Sequence, residues 1–214
     1  MKIKVLCSDN SHPVYSHLEE WKSAQVDNEI ILINKAEDIL EGADILFLVS
    51  CTEVVSEKIR SKFRYSLVLH ASDLPRGRGW SPHIWDVVHG KQEITLSLLN
   101  AEDIVDSGDI WRKMKIPLTG YELYDEINKK LFDAEIKMLD WACKRVESAQ
   151  PVRQALGDSS YHRKRTPSDS EINIDEPLRS QFNLIRVCDP DRYPAFINID
   201  GHKFKLFFIR DENE

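Results

Sequence analysis

Four short apolar runs, at residues 2–7 (KIKVLC), 29–34 (EIILIN), 44–49 (DILFLV) and 65–69 (YSLVL), contain neither glycine nor proline. Runs of this length and composition suit strands buried on both faces of a sheet. The segments between them read as a helix reaching Trp21, a short helical piece at 36–40 and a short helix at 56–63. Strands alternating with helices predict a mainly parallel sheet, because parallel neighbours need a crossover long enough to hold a helix.

The stretch from Val68 to Ile110 holds the groups most able to do chemistry. His70 falls where the fourth strand ends, and Asp73, Pro75, Gly77 and Gly79 then break regular structure. Ser81 and Pro82 predict a helix start with an N-cap hydroxyl and proline at its first position. Ile84, Val87 and Val88 supply its apolar stripe, and Gly90 is placed to end it. A strand at 93–99, with Ile94, Leu96 and Leu98 alternating with polar residues, leads to an acidic loop carrying Glu102, Asp103, Asp106 and Asp109. In open α/β sheets ligands bind beyond the carboxyl ends of strands. His70 and Asp106, each expected just past a strand, are therefore predicted to converge.

Other candidates are weaker. The first loop, Ser8 to Pro13, has no glycine-rich phosphate signature, so dinucleotide and P-loop readings fail. Asn10 and His12 either face the ligand or form a turn and helix cap. Cys51, at the end of the third strand, reads as a buried thiol in preference to a nucleophile. Arg76, Arg78 and Lys91 flank the central loop and are predicted to meet phosphate, with internal ion pairing as the alternative. Trp80 and Trp85 either stack on a base or pack under the helix.

Beyond this, Thr119 and Glu122 predict a capping box opening a long helix to about Ser148, whose apolar face runs through Leu123, Ile127, Leu131, Met138, Ala142 and Val146. Residues 150–170 read as a linker with a basic cluster, Arg163-Lys164-Arg165, either a solvated loop or a flap over the site. A helix at 177–187 and a hairpin of strands 195–199 and 203–210 across Asp200-Gly201 follow. Phe204, Leu206 and Phe208 give the last strand an apolar face that must pack on the core or on another copy, so a homodimer through this hairpin is expected.

Composition narrows the partners. Among 214 residues the net charge is −7, which argues against a nucleic-acid surface built on clustered Lys and Arg. No apolar run approaches the roughly 18 residues of a membrane span, and the start MKIKVLCSDN reads as a strand, so a cytoplasmic protein with no membrane partner is expected. Cys7, Cys51, Cys143 and Cys188 form no C-x-x-C pair, which indicates neither a zinc site nor a disulfide framework.

The order His70, Ser72, Leu74, Pro75, Arg78, Gly79, Pro82, Asp106, Gly108, Asp109 resembles the formyltransferase N-terminal family. Tyr161 to Pro167, Asn183 to Arg186 and Tyr193 to Phe196 are similar to elements that follow the catalytic domain in the short bacterial sugar N-formyltransferases, including the pseudaminic acid type. The resemblance implies a Rossmann-like α/β catalytic domain at 1–149, and a linker, helix and β-hairpin extension at 150–214. It implies transfer of a formyl group from 10-formyltetrahydrofolate, with no metal, to the amine of a nucleotide-linked amino sugar. A UDP-4-amino-4,6-dideoxy sugar destined for a surface glycan is one such acceptor.

It also implies that His70 is general base or oxyanion partner and that Asp106 orients and charge-stabilises it. The folate would lie along Ser50, Cys51, Val54, Ala101, Glu102, Asp103 and Ile104. The acceptor would meet Asn10, His12, Arg76, Arg78, Gly79 and Trp80. One departure stands out: where the family reads N-x-H, this chain has Val68-Leu69-His70, and valine donates no hydrogen bond. The oxyanion donor is then protonated His70, the Ser72 hydroxyl or a loop N–H. Competing readings are a formyltetrahydrofolate hydrolase, a non-catalytic binding module for folate or sugar nucleotide, and formylation of an amine on a peptide carrier.

Overall fold

The computed structural model describes residues 1–155 and 157–211. In chain order its strands are β1 (Lys2–Leu6), β2 (Glu29–Ile33), β3 (Ile45–Leu48), β4 (Tyr65–His70), β5 (Arg78–Gly79), β6 (Glu93–Asn100), β7 (Ile110–Pro117), β8 (Tyr161–His162), β9 (Ala195–Ile199) and β10 (His202–Leu206). The helices are α1 (Val14–Ala24), α2 (Glu57–Arg60), α3 (Pro82–Val88), α4 (Tyr124–Arg145) and α5 (Leu178–Ile185), with 3₁₀ turns at Ala36–Asp38 and Pro167–Ser170.

Six strands form one sheet in the order β2-β1-β3-β4-β6-β7. The first four are parallel, as their apolar runs predict. Strand β3 shows why: all four residues are buried, with Ile45 and Phe47 in the core shared with α1 and α4, and Leu46 and Leu48 in a second core on the opposite face. The Trp21 indole N–H donates to Asp140 at 2.8 Å and ties α1 to α4.

The far edge departs from the parallel pattern. Strand β6 runs antiparallel to β4, and β7 antiparallel to β6. The connection 101–109 is too short for a parallel crossover, which needs a dozen residues or more. The polar residues of β6 are interior too: Ser97 is fully buried and donates to the Ser72 carbonyl at 2.7 Å.

Two predicted helix starts shift. Ser81 is left-handed (φ 45°) and makes no side-chain cap on α3. Glu122 does accept from the Thr119 and Gly120 amides, at 2.7 and 3.1 Å, but this closes a turn, and α4 begins at Tyr124. There Glu126 accepts from the Leu123 amide at 2.8 Å.

The segment after α4 wraps back over the sheet. Strand β8 pairs parallel with β5, and α5 and the β9-β10 hairpin share a small core of Ile172, Ile185 and Ala195. Leu206 packs against that core, whereas Phe204 stays half exposed and Phe208 lies beyond β10. Among the described residues no helix is long and apolar enough to cross a membrane.

Candidate active site

His70 is the last residue of β4 and is 8% exposed. Its Nε2 lies 2.8 Å from the Gly77 carbonyl. A carbonyl only accepts, so Nε2 carries the proton, and Nδ1 presents its lone pair to Asp106 Oδ1 at 3.5 Å. The acid, also 8% exposed, accepts from the Gly79 amide at 2.9 Å through Oδ2.

The two meet by a route the parallel-sheet reading did not contain. Because β6 is antiparallel to β4, its carboxyl end lies beside Leu67, away from the strand end that carries His70. The loop 101–109 therefore has to fold back toward His70. The loop is closed at its base by the Asn100 amide on the Asp109 carbonyl at 2.9 Å. A Cβ at Gly108 would meet the Asn100 carbonyl oxygen at 2.0 Å, so only glycine permits this closure.

Gln154, 9% exposed, then fixes the loop. Its Nε2 donates to the Asp106 and Gly108 carbonyls at 2.8 Å each, and its Oε1 accepts from Arg78 at 3.0 Å. At Gly79 (φ +93°) a Cβ would meet the His162 carbonyl at 2.4 Å, which explains the glycine where β5 meets β8.

His70, Gly79 and Asp106 line a cavity of about 630 Å³, within the usual size of a small-molecule site. Its apolar lining includes Leu48, Val55, Val68, Leu69 and Ala101. Polar lining comes from α3, α4 and the C-terminal segment: His83, Tyr124, Asn128, Glu135, Asp189 and Arg192. Ser50, Ser81 and Asp106 all line it with φ between 45° and 56°, a conformation costly for residues with a side chain and concentrated at working sites.

Of the predicted folate positions, Ser50, Cys51, Val54, Ala101 and Glu102 line the cavity. Asp103 instead ion-pairs with Arg60 at 2.7 Å, and Ile104 is 70% exposed. Burial pushes the Cys51 thiol up, against a nucleophilic role. Of the predicted acceptor positions, His12, Gly79 and Trp80 line the cavity.

The others do not line it. Asn10 is exposed, and the turn there belongs to Asp9, which accepts from the Ser11 amide at 2.9 Å. Arg76 pairs with Asp158 at 2.7 Å on the surface, and Arg78 is spent on Gln154. Lys91 pairs with Asp86 at 2.8 Å. Ser72 is 1% exposed beneath Gly77 and does not line the cavity, so its hydroxyl is no oxyanion donor.

The cations at the cavity come from elsewhere: Lys164, Arg165 and Arg192. The basic cluster thus divides, because Arg163 is held by Asp169 and lies 5.0 Å over the Trp85 ring, while Lys164 Nζ sits 4.8 Å from the Trp80 ring. Gln154, Glu135 and His83 carried no signal in the sequence beyond their residue type. Among the described residues no group of three His, Cys, Asp or Glu side chains is arranged to hold a metal ion.

Glu135 is buried on α4, and desolvation raises its carboxyl to about 8. A carboxyl that ionises near 4.5 when unfolded but near 8 when folded costs stability as pH rises between those values, at up to roughly 1.4 kcal/mol per pH unit. Below that window there is no penalty. Glu135→Gln is therefore expected to gain on the wild type progressively from pH 5 to 8, read from paired urea titrations. A pH-independent difference would show that Glu135 ionises normally.

A family model described as formyl transferase matches residues 36–142. The chain belongs to the formyl transferase family. Methionyl-tRNA formyltransferase of Clostridium acetobutylicum is 25% identical over 194 residues, covering 88% of this chain and 59% of that protein. This formyl transferase thus spans about three fifths of that curated relative's length.

Among solved structures, methionyl-tRNA formyltransferase from Clostridium thermocellum superposes with TM-score 0.82 at 20% identity, covering 100% of this chain and 94% of that one. A likely sugar N-formyltransferase from Mycobacterium tuberculosis gives 0.75 at 14%, covering 100% and 99%. HypX from Aquifex aeolicus, solved in complex with tetrahydrofolic acid, gives 0.77 at 17%, covering 97% and 37%. At these identities the likeness is one of fold. The fold is that of a Rossmann-like formyl transferase, with a mixed sheet whose larger part is parallel.

Proposed function

We propose that this protein transfers a formyl group from 10-formyltetrahydrofolate to the amine of a nucleotide-linked amino sugar. The observation that carries this is the facing of His70 Nδ1 and Asp106 Oδ1, at 3.5 Å, in the wall of one cavity lined by both apolar and polar side chains. Leu48, Val55, Val68, Leu69 and Ala101 give this cavity apolar lining suited to a flat heterocycle, and residues 50–54 and 101–102 also line it.

When bound, the folate supplies the formyl carbon. The chain's own groups do the rest. With Nε2–H held by the Gly77 carbonyl, Nδ1 is free to take the proton released as the acceptor amine attacks. Asp106 pairs with the resulting imidazolium, and the Gly79 amide keeps that carboxylate aimed. Val68 offers no donor for the oxyanion, and Ser72 is out of reach. Both imidazolium N–H groups are engaged, by the Gly77 carbonyl and by Asp106, so a loop N–H takes that role.

Lys164, Arg165 and Arg192 at the cavity suit the diphosphate of a nucleotide sugar. The net charge of −7 favours such an acceptor over tRNA. A UDP- or dTDP-linked 4-amino-4,6-dideoxy sugar of a surface-glycan pathway is the finer reading, with residues 1–149 as the catalytic unit and 150–214 as its extension.

The test is incubation with 10-formyltetrahydrofolate and either nucleotide amino sugar, following N-formyl product by mass spectrometry. Formate release at the same rate with and without acceptor would establish a hydrolase instead. Within this reading, Gln154→Leu strips partners from two buried carbonyls and Arg78. It is expected to lower kcat about 10²-fold through misplacement of Asp106, with folate affinity within a few-fold of wild type. Steady-state rates beside equilibrium titration with tetrahydrofolate check this.

A further inference from the structure

In the polar lining of the cavity two groups are left wanting. Glu135 Oε2 and His83 Nδ1 are both buried and have no hydrogen-bond partner. Both residues line the cavity, Glu135 from α4 with 6% of its surface exposed, His83 from α3. Desolvation favours the neutral form of each, raising the carboxyl and lowering the imidazole to about 3. A neutral carboxyl offers one donor and one acceptor, and a neutral imidazole the same. An unmet buried polar atom costs about 1–3 kcal/mol, so a ligand that completes both gains what an apolar one forfeits.

Asn128 and Tyr124, one and two turns back along α4 from Leu131, add an amide and a phenol to the same wall. Tyr124 already bonds to Asp189 and Asn128. A methionyl thioether would leave Glu135 Oε2 and His83 Nδ1 unpaired. A ring bearing hydroxyls would not.

We propose that Glu135 and His83 determine acceptor specificity by hydrogen-bonding ring hydroxyls of a sugar amine, so that a methionyl acceptor is rejected here. This rests on the reading of the cavity as a formyl-acceptor site. It concerns which amine enters, and neither residue is assigned a part in the chemical step.

The experiment compares dTDP-4-amino-4,6-dideoxyglucose with its 2-deoxy and 3-deoxy analogues, on wild type, Glu135→Gln, Glu135→Leu and His83→Phe. Binding is read by calorimetry and transfer by formyl product. Glu135→Leu is expected to weaken the fully hydroxylated acceptor about 10- to 100-fold while leaving one deoxy analogue within twofold. Glu135→Gln, which keeps a donor and an acceptor, should retain most of the affinity.

Equal losses for all three acceptors, or no loss for any, would overturn the proposal. If Glu135→Leu does not fold, His83→Phe carries the same comparison. A wild type that formylates none of these sugars but does formylate methionyl-tRNA would instead overturn the functional reading itself. A wild type that formylates them without hydroxyl discrimination by either residue would sink only this inference.

Discussion

His70→Ala is expected to lower formyl transfer about 10³-fold, within the 10²- to 10⁴-fold that a positioned general base contributes. The imidazole lines the cavity and faces a carboxylate across 3.5 Å, as a general base for the amine proton should. Asp106→Asn should come close to the same loss. An asparagine can keep the Gly79 amide bond through its oxygen, so the loop stays in place, but it offers no charge to an imidazolium. Since the two act as one unit, the double variant should be scarcely worse than either single one. Single-turnover rates with saturating folate and acceptor measure this. A loss below tenfold in His70→Ala, or strictly multiplicative losses in the double variant, would move the chemistry away from this pair.

The largest effect on stability is expected at Glu122. This carboxylate, 4% exposed, accepts from the Thr119 and Gly120 amides and from Lys130 Nζ at 2.5 Å, and stands 3.7 Å from Arg186. The guanidinium of Arg186 is itself 2% exposed, bonded to the Glu122 carbonyl at 3.3 Å and to Asn183 at 3.0 Å. Removing the acid strands a buried cation, at a cost of about 3–5 kcal/mol.

Glu122→Ala should therefore shift the urea midpoint strongly at unchanged slope. Glu122→Leu combined with Arg186→Met should recover much of the loss, because no buried charge is left unpaired. Burial alone would raise this carboxyl, yet the Lys130 and Thr119 hydrogen bonds outweigh it and hold it near about 2. A depressed acid stabilises above its unfolded value near 4.5 and loses that contribution as pH falls toward 2. Wild type and variant should accordingly converge in that acid window. A pH-independent gap would assign the cost to packing.

The pairing matters for function because Arg186 opens the turn after α5 and Glu122 precedes α4, so it clamps the C-terminal segment onto the helix that carries Glu135. That segment supplies Lys164, Arg165 and Arg192 to the cavity, and Gln154 to the loop that holds Asp106. Composition made residues 150–170 look like a linker. Its role depends on partners, the Asp106 carbonyl for Gln154 and the Trp80 ring for Lys164, that local propensity does not encode.

The parallel half of the sheet was legible because each of its strands is a run with no turn residue, and burial on both faces admits little else. His70 was legible because an apolar strand ending in imidazole before a Pro/Gly loop is a local pattern. Asp106 does meet His70, but not by the route expected: β6 runs antiparallel to β4, and the acid reaches the imidazole by a loop folding back.

The expected site residues that do not line the cavity share one cause. Arg76, Arg78, Ser72 and Asp103 are of types that bind ligands, but each has a protein partner or a burial that only the packed chain reveals. By itself the sequence determined the strands, the imidazole and the departure at Val68, since apolar periodicity and residue identity are local properties. Which polar groups are consumed by the protein and which stay open to a ligand was decided by tertiary packing, because hydrogen-bond satisfaction is settled between residues distant along the chain.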